Sequence, residues 1–379
     1  MSPHEGGAPL RVLLIARAPV GGAWRHILDL TDGLLERGFQ LGIVVDSMRA
    51  SDHVRATLER FRPRLDLGVH TLSIPRAPGM GDLSIIRACR RLIAELKPDI
   101  VHGHSAKGGL YARLASWGTP AKAVYTPHGG SLHLNKASLN GRLILATEKA
   151  LIKITDRFIF ESAFSADGFA EKIGDTGGLS SIIHNGLRND EFAGAPTWLD
   201  EPPYDFAFVG EMRAIKGVDV LLEALCQVTH PSGRSLKVLM LGDGPMLADY
   251  KAYADALGLG DEVHFKGRRP AIEAFEATNT IVVPSRAESL PYVVMETIAR
   301  GRNVIASDVG GIAEIFGPTR NALIQPDDVE ALAGALQSTL TSTQADMRDI
   351  LDARYAHMTE HFHVDTMVDA VAETYRALC

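Results

Sequence analysis

The chain has 379 residues and a formal net charge of −7, and 46% of its residues are hydrophobic while 22% are charged. This length exceeds what one hydrophobic core usually supports, so we expect a globular protein of two domains. The acidic balance argues against a dedicated nucleic-acid-binding protein, and no nucleic-acid partner is expected.

The cysteines and the N-terminal segment indicate the compartment. Cys89, Cys226 and Cys379 are far apart, and no CxxC pair or Cys/His cluster occurs. This pattern fits a reducing compartment and argues against a structural zinc site. No segment has the ~20 consecutive apolar residues of a membrane span. The N-terminal MSPHEGGAPL also lacks the basic and apolar regions of a secretory signal. We therefore expect a cytoplasmic protein.

Short apolar runs alternate with amphipathic segments along the first half of the chain. The predicted strands are RVLLIARA, LGIVVD, PDIVHGH, AKAVYTPHG and DRFIFES. The predicted helices are WRHILDLTDGLLERG, DLSIIRACRRLIAELK and GRLILATEKALIKI. Continuous apolar runs are typical of strands buried on both faces, so this alternation predicts a parallel sheet covered by helices on both sides.

The pattern stops at the proline-bearing, aperiodic segment APTWLDEPPYD, which we interpret as a linker. It then resumes with the predicted strands YDFAFVGE, LKVLMLGDG, EVHFKG, NTIVVPS, RNVIAS and NALIQP, again separated by helices. The fold class is therefore α/β, with two doubly wound, Rossmann-like domains. The first is predicted over residues 1–195 and the second over 203–360.

Ligands of doubly wound sheets bind beyond the carboxyl ends of the strands, so candidate residues are those that follow strands. After the first strand, Gly21 and Gly22 would let the backbone approach a ligand, or they form an ordinary turn. The segment lacks the GxGxxG spacing of a dinucleotide site, which weakens any dehydrogenase interpretation.

Histidines follow two further strands of the first half. His102 and His104 lie in DIVHGHSAKGG, and His128 precedes a glycine pair in YTPHGG. A single histidine is more often a packing or capping residue than a catalytic one, but the position of His128 favours contact with a ligand. Lys107 could hold an anionic group or be solvated.

In the second half, Arg213 and Lys216 follow the strand that ends at Gly210. Arginine and lysine after a strand match a diphosphate electrostatically. No DxD pair occurs in the sequence, so a bound metal is not the expected means of neutralising a leaving diphosphate, and these two cations with helix dipoles would have to do so.

The segment RAESLPYVVMETIARG, residues 286–301, carries two glutamates around a predicted helix start. Pro291 suits the first helical position, which places Glu288 in the preceding loop and Glu296 within the helix. The N–H groups of residues 292–294 are then expected to be open to an anion. The alternative interpretation is that both glutamates are merely solvated.

Taken together, these segments resemble the GT-B glycosyltransferases, specifically the large retaining family four. The motifs that carry the resemblance are the early GG loop, DIVHGH, TPHGG, IHNG, GEMRAIKG, LGDGP and ESLPYVVMETIARG. The last is the E-x7-E motif of the family in full spacing. The chain departs from the family at Glu211, where arginine is usual, and at Leu290–Pro291, where glycine is usual.

The resemblance implies two domains facing a central cleft, with a nucleotide-sugar donor bound mainly by the C-terminal domain and the acceptor by the N-terminal one. It also implies that residues 361–379 form a last helix that crosses back to the N-terminal domain. Of the donor-binding residues, Glu296 would bind the ribose, while Arg213 and Lys216 would bind the diphosphate.

The remaining roles follow from the same resemblance. Glu288 and His128 would lie at the transferred sugar as the catalytic pair. The backbone at Leu290 and Tyr292 would contact sugar hydroxyls and phosphate, and Gly22 would let the N-terminal loop approach the phosphates.

The function expected from these features is retaining, metal-independent transfer of a sugar, from UDP-sugar or GDP-sugar, to a hydroxyl. No cofactor is expected. In the family, many members build exopolysaccharide or envelope glycans, so a glycan or lipid-linked acceptor is expected, with His104 and Lys107 as acceptor-side candidates. The alternatives are a nucleotide-sugar 2-epimerase and, outside the enzymes, a two-domain sugar-binding protein.

The segment GRLILATEKALIKITDRF, residues 141–158, suggests a membrane contact. Its apolar stripe is flanked by basic residues, which on an acidic protein suggests peripheral contact with an anionic membrane surface. The alternative is that the stripe packs on the sheet. The apolar residues are Leu143, Leu145, Ala146, Leu151 and Ile154, and the basic ones are Arg142, Lys149, Lys153 and Arg157.

Overall fold

The computed structural model describes residues 8–17, 21–46, 52–75, 79–130, 138–193 and 198–379. The chain divides into two compact units, the first comprising Met1–Asn185 with Val364–Cys379 and the second comprising Gly186–His363. The boundary between Asn185 and Gly186 therefore precedes the proline-bearing segment that the sequence suggests as a linker. The boundary between His363 and Val364 lies just after residue 360, where the second domain was predicted to end.

The strands are β1 (Arg11–Ala16), β2 (Gln40–Asp46), β3 (Gly68–Leu72), β4 (Ile100–His104), β5 (Lys122–Thr126), β6 (Arg157–Phe160), β7 (Ser180–Ile182), β8 (Phe206–Val209), β9 (Val238–Leu241), β10 (Val263–Gly267), β11 (Thr280–Val283) and β12 (Asn303–Ala306). The helices are α1 (Gly21–Glu36), α2 (Asp52–Phe61), α3 (Gly81–Leu96), α4 (Ser105–Ser116), α5 (Leu139–Leu151), α6 (Ala163–Lys172), α7 (Val218–Leu225), α8 (Leu247–Ala256), α9 (Ile272–Phe275), α10 (Tyr292–Ala299), α11 (Ile312–Phe316), α12 (Val329–Thr341), α13 (Gln344–His361) and α14 (Val364–Arg376). Strands and helices alternate in both units, as the sequence pattern predicts.

The first unit contains a parallel sheet of order β3-β2-β1-β4-β5-β6-β7. Both of its faces are buried, as strand β1 illustrates. Val12 and Leu14 belong to one hydrophobic cluster, and Leu13 and Ile15 belong to another. Because neighbouring side chains of a strand point to opposite faces, a run of apolar residues with no alternation is what a strand covered on both sides requires.

The C-terminal helix α14 packs against α1 in the first unit. Val368 and Tyr375 of α14 are fully buried in the same cluster as Val12. At the surface, Arg37, the residue after α1, pairs with Asp369 at 2.6 Å and with Asp365 at 3.2 Å. The final segment of the chain is therefore a structural part of the first unit.

The second unit contains a smaller parallel sheet of order β10-β9-β8-β11-β12. The strand predicted in NALIQP is wrong. The segment Gly317–Ala322 is a 3-10 helix, and Ile324 forms only an isolated bridge to Ser307. Within the part of the chain that the structure describes, no helix is both long and apolar enough to cross a bilayer.

Candidate functional site

In the second unit, candidate residues converge where the strand order reverses, between β8 and β11. Arg213 and Lys216 follow β8, and Glu288 follows β11. In open α/β sheets, ligands bind in the crevice at such a switch point, beyond the carboxyl ends of the strands. The topology thus places three of the predicted site residues at the expected edge.

Lys216 and Glu288 form an ion pair at this edge. Lys216 Nζ donates to Glu288 Oε1 at 2.6 Å, and Ser285 Oγ donates to the same oxygen at 2.7 Å. The Glu288 side chain is only 9% exposed, while that of Lys216 is 25% exposed. A nearly buried carboxylate requires such charged and hydrogen-bonding partners, because its desolvation would otherwise be costly.

Two glycines allow the loops around this pair to pack closely. Gly217, with φ +63°, lies where a Cβ atom would contact the carbonyl oxygen of Pro284, and Gly310, with the same φ, lies where one would contact the carbonyl oxygen of Glu288. A side chain at either position would be strained and would also clash with backbone. The loop that carries Glu288 is therefore held between the loops that follow β8 and β12.

Arg286 reinforces the same loop. Its guanidinium contacts Asp219 of α7 at 2.6 Å and Asp327 at 2.6 Å. The hydrogen bonds that Arg286 donates to Asp219 raise the pKa of Arg286, a shift that burial opposes and that the bond to Asp327 increases. Since its donors already engage two carboxylates, Arg286 holds this loop in place.

Helix α10 starts one residue later than predicted. Pro291 has φ −76° and ψ 122°, so it is the N-cap and not the first helical residue. The prediction of three open N–H groups is also wrong for Val294, whose N–H donates to the Pro291 carbonyl at 3.2 Å. This bond tightens the first turn in the 3-10 manner that is common at helix ends.

The other predicted donor-binding residues differ in exposure. Leu290 and Tyr292 are buried in the hydrophobic core of the second unit, so their side chains serve packing and only their backbone could face a ligand. Glu296 is half-buried on α10, and Arg213 is exposed, with Glu211 3.5 Å away.

In the first unit, histidines gather beyond β4 and β5. His104 ends β4, His128 follows β5, and His26 lies on α1. His104 Nδ1 and His128 Nε2 are hydrogen-bonded at 3.0 Å. The backbone of His128 has φ +51°, in the left-handed region that few residues other than glycine adopt. Such strain is often found at functional sites.

Behind this pair, His102 is fully buried and hydrogen-bonded through both ring nitrogens. Its Nδ1 pairs with Tyr375 Oη of α14 at 2.6 Å, and its Nε2 pairs with Thr126 Oγ1 of β5 at 2.8 Å. His102 is thus a core histidine with satisfied hydrogen bonds. This is the packing role that the sequence analysis left open for a single histidine.

Burial keeps this group of histidines uncharged. It lowers the pKa of His128 to about 4, and burial together with the charge of His128 lowers the pKa of His26 to about 3. The pKa values of His102 and His104 also lie well below the usual value, chiefly because of burial. At neutral pH these four imidazoles are therefore neutral, and those of His26, His104 and His128 can accept a hydrogen bond or bind a cation.

Lys107 does not present a free positive charge. Its Nζ contacts Asp82 Oδ1 at 2.5 Å, and Tyr111 Oη donates to the same oxygen. Binding of an anionic acceptor by Lys107, as expected from the sequence, would therefore have to break an existing ion pair.

Gly22 is exposed in the first turn of α1. Residues 18–20, which precede α1, and residues 131–137, which follow the glycine pair after His128, lie outside the described residues.

Sequence reasoning missed several residues that the structure brings to these edges, including His26, Asp82, Ser285 and Arg286. The sequence does carry a signal for His26, namely its helical spacing from apolar residues. It lies four positions before Leu30 and next to Ile27, both of which are buried, and so lies on the inner face of α1. The partners of Lys107 and Glu288 depend on tertiary packing and had no local signal.

Comparison with known families covers both units. Residues 20–191 match the family described as Glycosyltransferase Family 4, and residues 192–355 match the family described as Glycosyl transferases group 1. The chain is made of two glycosyltransferase domains. This agrees with the resemblance that the sequence motifs carry.

Named relatives of these glycosyltransferase domains share moderate identity. The D-inositol 3-phosphate glycosyltransferase of Streptomyces avermitilis is 28% identical over 308 residues, covering 74% of this chain and 65% of that protein. The protein of the same name from Mycobacterium sp. (strain KMS) is 29% identical over 273 residues, covering 66% and 61%. The chain thus spans less than two thirds of the length of these relatives.

Solved structures resemble the chain over almost its whole length. The sucrose-phosphate synthase of Thermosynechococcus elongatus has a TM-score of 0.80 at 21% identity, covering 97% of this chain and 99% of that one. Anabaena HepE, solved in complex with UDP and glucose, has a TM-score of 0.78 at 18% identity, covering 97% and 100%. The fold of the glycosyltransferase domains is thus GT-B, with two parallel-sheet α/β domains.

Proposed function

We propose that the protein is a retaining glycosyltransferase that moves a sugar from a nucleoside diphosphate sugar to a hydroxyl, without a bound metal. The observation that carries this proposal is the Lys216–Glu288 pair at the switch point of the second sheet. A cation and a carboxylate held within 2.6 Å of one another offer one group for phosphate oxygens and one for sugar hydroxyls.

On the donor side, Lys216 and the exposed Arg213 would neutralise the diphosphate as negative charge develops on the leaving group. Glu288 would accept hydrogen bonds from the transferred sugar, and Glu296 would accept them from the ribose. The backbone at Leu290 and Tyr292 would contact the sugar and phosphate. These groups supply the charge balance that other transferases take from a metal ion.

The carboxylate geometry favours a route to retention without a covalent sugar–protein bond. Oε1 of Glu288 already accepts from Lys216 and Ser285, which stabilises the negative charge and makes the carboxylate a weaker nucleophile. The departing phosphate would instead take the proton of the acceptor hydroxyl. Neutral His128 would face the transferred sugar and form one hydrogen bond with it, and Gly22 would let the N-terminal loop approach the phosphates.

Transfer assays with UDP-, GDP- and ADP-sugars test this proposal. Product anomers would be read by NMR, in buffer with excess EDTA and in buffer with Mg²⁺. Equal activity in both buffers with a retained anomeric configuration is the expected result. A strict Mg²⁺ requirement or an inverted product would contradict it. Formation of the 2-epimer would indicate an epimerase, and binding of free sugar without turnover would indicate a sugar-binding protein.

For the acceptor, the similarity to proteins named D-inositol 3-phosphate glycosyltransferases supports a phosphorylated polyol. The motif resemblance supports a lipid-linked or growing glycan. Parallel assays with D-inositol 3-phosphate and with a polyprenyl-diphosphate-linked sugar separate the two. We expect one of these to accelerate donor consumption above slow hydrolysis, and no acceleration by either would exclude both.

A peripheral membrane contact is proposed at α5, where the outward face is basic. Arg142, Lys149 and Lys153 are exposed, and Leu143 beside them is 61% exposed. Glu148 of the same helix is instead buried, where it accepts from Arg113 at 2.8 Å. Its negative charge is thus turned away from the exposed cations, which leaves a face suited to anionic headgroups.

Only part of the apolar stripe predicted in this segment is available for such a contact. Leu151 is buried, and Leu145 and Ile154 are half-buried. Sedimentation with anionic and neutral vesicles tests the contact, with the charge reversal Lys149→Glu/Lys153→Glu as the variant and Arg348→Glu of α13 as the control. Binding to anionic vesicles only, lost in the double variant, is expected. Negligible binding to both vesicle types would contradict it.

A further inference from the structure

His26 is a buried polar side chain for which the proposed reaction has no use. It is 2% exposed on α1, and the side chain of Asn185 lies close enough to affect its pKa. Neither of its ring nitrogens, however, makes a hydrogen bond of normal geometry with the described residues. Leaving such a group unsatisfied costs about 1–3 kcal/mol. A buried polar group of this kind calls for an explanation, and an unfilled ligand position is one.

His26 lies beside His104 and His128. One ring nitrogen of each of the three residues lies within 4.8 Å of the others. The ring centroid of His26 lies 5.6 Å from that of His104 and 5.0 Å from that of His128. His104 is 1% exposed, and within the described ranges its Nε2 also has no partner. Three imidazole nitrogens thus lie close enough to share one ion, and both nitrogens of His26 and the Nε2 of His104 are unused.

Three neutral imidazoles are a known ligand set for zinc-type ions, with Zn–N bonds of about 2.0–2.1 Å and a fourth position left to water. Around a tetrahedral ion, bonds of this length place ligand nitrogens about 3.3 Å apart. The His104–His128 pair, at 3.0 Å, is already near that spacing. A turn of the His26 ring would bring in the third ligand.

The surroundings suit a cation. Burial lowers the pKa of all three histidines, so no ring carries a second proton at neutral pH. The proton in the hydrogen bond between His104 Nδ1 and His128 Nε2 would move to the other nitrogen of its ring when an ion binds. Glu161, 2% exposed, lies close enough to oppose the lowering of the pKa at His26, where its carboxylate adds negative potential.

His102 marks the limit of the cluster. Its ring centroid is 4.0 Å from that of His104, but both of its nitrogens are hydrogen-bonded, to Tyr375 and Thr126. His102 would therefore support the ring of His104 from behind and not bind the ion. This arrangement, in which a packed residue fixes the orientation of a ligand, is typical of metal sites.

We propose that His26, His104 and His128 form a binding site for a divalent transition-metal ion of the zinc type, and that the bound ion inhibits the enzyme by occupying the ring of His128. The binding claim stands on the cluster alone. The inhibition claim rests on the proposed function, in which His128 contacts the transferred sugar. The protein would then be active without metal and inhibited by zinc.

Binding is tested on tag-free protein treated with a chelator. X-ray absorption on the zinc-loaded protein should show three imidazole ligands, and Co²⁺ should give the intense visible bands of a four- or five-coordinate site. His26→Leu should weaken the affinity for either ion by tenfold or more. His70→Gln, which removes a half-buried histidine outside the cluster, is the matched control and should change nothing.

Two results would overturn the site. One is a zinc-loaded protein whose spectrum shows no imidazole ligands or only one. The other is an unchanged ion affinity in a folded His26→Leu variant, checked by circular dichroism. If that variant does not fold, the ligand count from the wild-type protein decides the question alone.

Inhibition is measured by titrating Zn²⁺ into the donor-consumption assay. The expected result is a loss of turnover that EDTA reverses, with the half-inhibiting concentration raised about tenfold or more in His26→Leu. Zinc binding without inhibition would overturn the inhibition claim. A wild-type protein with no sugar transfer under any condition would instead refute the proposed function, while the binding measurement would still stand.

Discussion

The two sheets carry chemically different side chains at the carboxyl ends of their strands, although the first five strands of each unit have the same order. Each reverses its strand order in the middle, between β1 and β4 in the first unit and between β8 and β11 in the second. Beyond β8 and β11 lies the Lys216–Glu288 ion pair. Beyond β4 and β5 lie histidines that burial keeps neutral.

This contrast shows that the topology determines where side chains gather, while the residue types determine what the edge can bind. A charged edge suits a ligand that carries or develops charge, such as a diphosphate. A buried, neutral edge suits hydroxyl groups or an ion that needs unprotonated nitrogens. The following changes test that distinction, beginning with the charged edge.

Lys216→Ala should have the largest effect, because it removes the cation and leaves the buried Glu288 carboxylate without its partner. Leaving the carboxylate unpaired should lower the free energy of unfolding by about 3–5 kcal/mol. Loss of a preorganised donor to the developing diphosphate charge should lower turnover about 10²- to 10³-fold. Arg213→Ala, at an exposed site, should cost less. Steady-state kinetics with the preferred donor measure both.

The double variant Lys216→Met/Glu288→Gln separates stability from function. Replacing both charges avoids the unpaired carboxylate, so the melting temperature should recover toward the wild-type value while activity does not. Recovered activity in this variant would show that the pair is structural only.

Glu296→Gln should have the next largest effect. Loss of a charge-assisted hydrogen bond to the ribose would cost about 1.5–3 kcal/mol, or roughly ten- to hundredfold in donor use. Glu330→Gln, at an exposed position of α12, is the control. Kinetics of Glu296→Gln indistinguishable from those of the control would remove Glu296 from the donor site.

The central strands of both sheets could be predicted from the sequence because they are buried on both faces. Strands β1 and β11, for example, are almost wholly buried, so their residues form continuous apolar runs. The pattern does not predict the edge strands β3 and β7, whose residues are mostly half-buried or exposed. These two edge strands therefore lack such a run, whereas the edge strand β12 is wholly buried and was predicted.

For the site, the sequence could identify Lys216 and Glu288 individually but not their pairing. They are separated by 72 residues, and only the adjacent positions of β8 and β11 bring them together. Likewise, nothing local shows that Asp82 neutralises Lys107, or that His26 joins His104 and His128. These contacts depend on helix packing, which a single sequence does not specify.

The Asp82–Lys107 pair allows a test of charge in the first unit, where Lys107 lies on α4, the helix that follows His104. Burial alone would raise the pKa of Asp82, but hydrogen bonds from Lys107, Tyr111 and the Gly79 N–H outweigh it, and the pKa lies below its usual value. A depressed carboxyl pKa contributes stability above the unfolded pKa of about 3.9, and this is lost as the pH falls through the folded pKa.

Lys107→Met should therefore reduce the free energy of unfolding by about 1.5–3 kcal/mol at neutral pH, and the difference from the wild type should shrink below about pH 4. Urea unfolding at several pH values measures this. A difference that stays constant down to the most acidic pH would show that packing of the lysine stem, and not the ion pair, is responsible.

Tyr375→Phe should have the smallest effect and tests the neutral edge. It removes the hydroxyl bonded to His102 Nδ1 and leaves that buried nitrogen unsatisfied, at a cost of about 1–3 kcal/mol. Because both partners are uncharged, the cost should be the same at low and moderate salt, whereas interactions of partly exposed charges such as Lys216 weaken with salt. Urea unfolding measures the cost, with Tyr355→Phe of the second unit as the control. A strong salt dependence in Tyr375→Phe would mean that the histidine cluster carries charge in the folded protein.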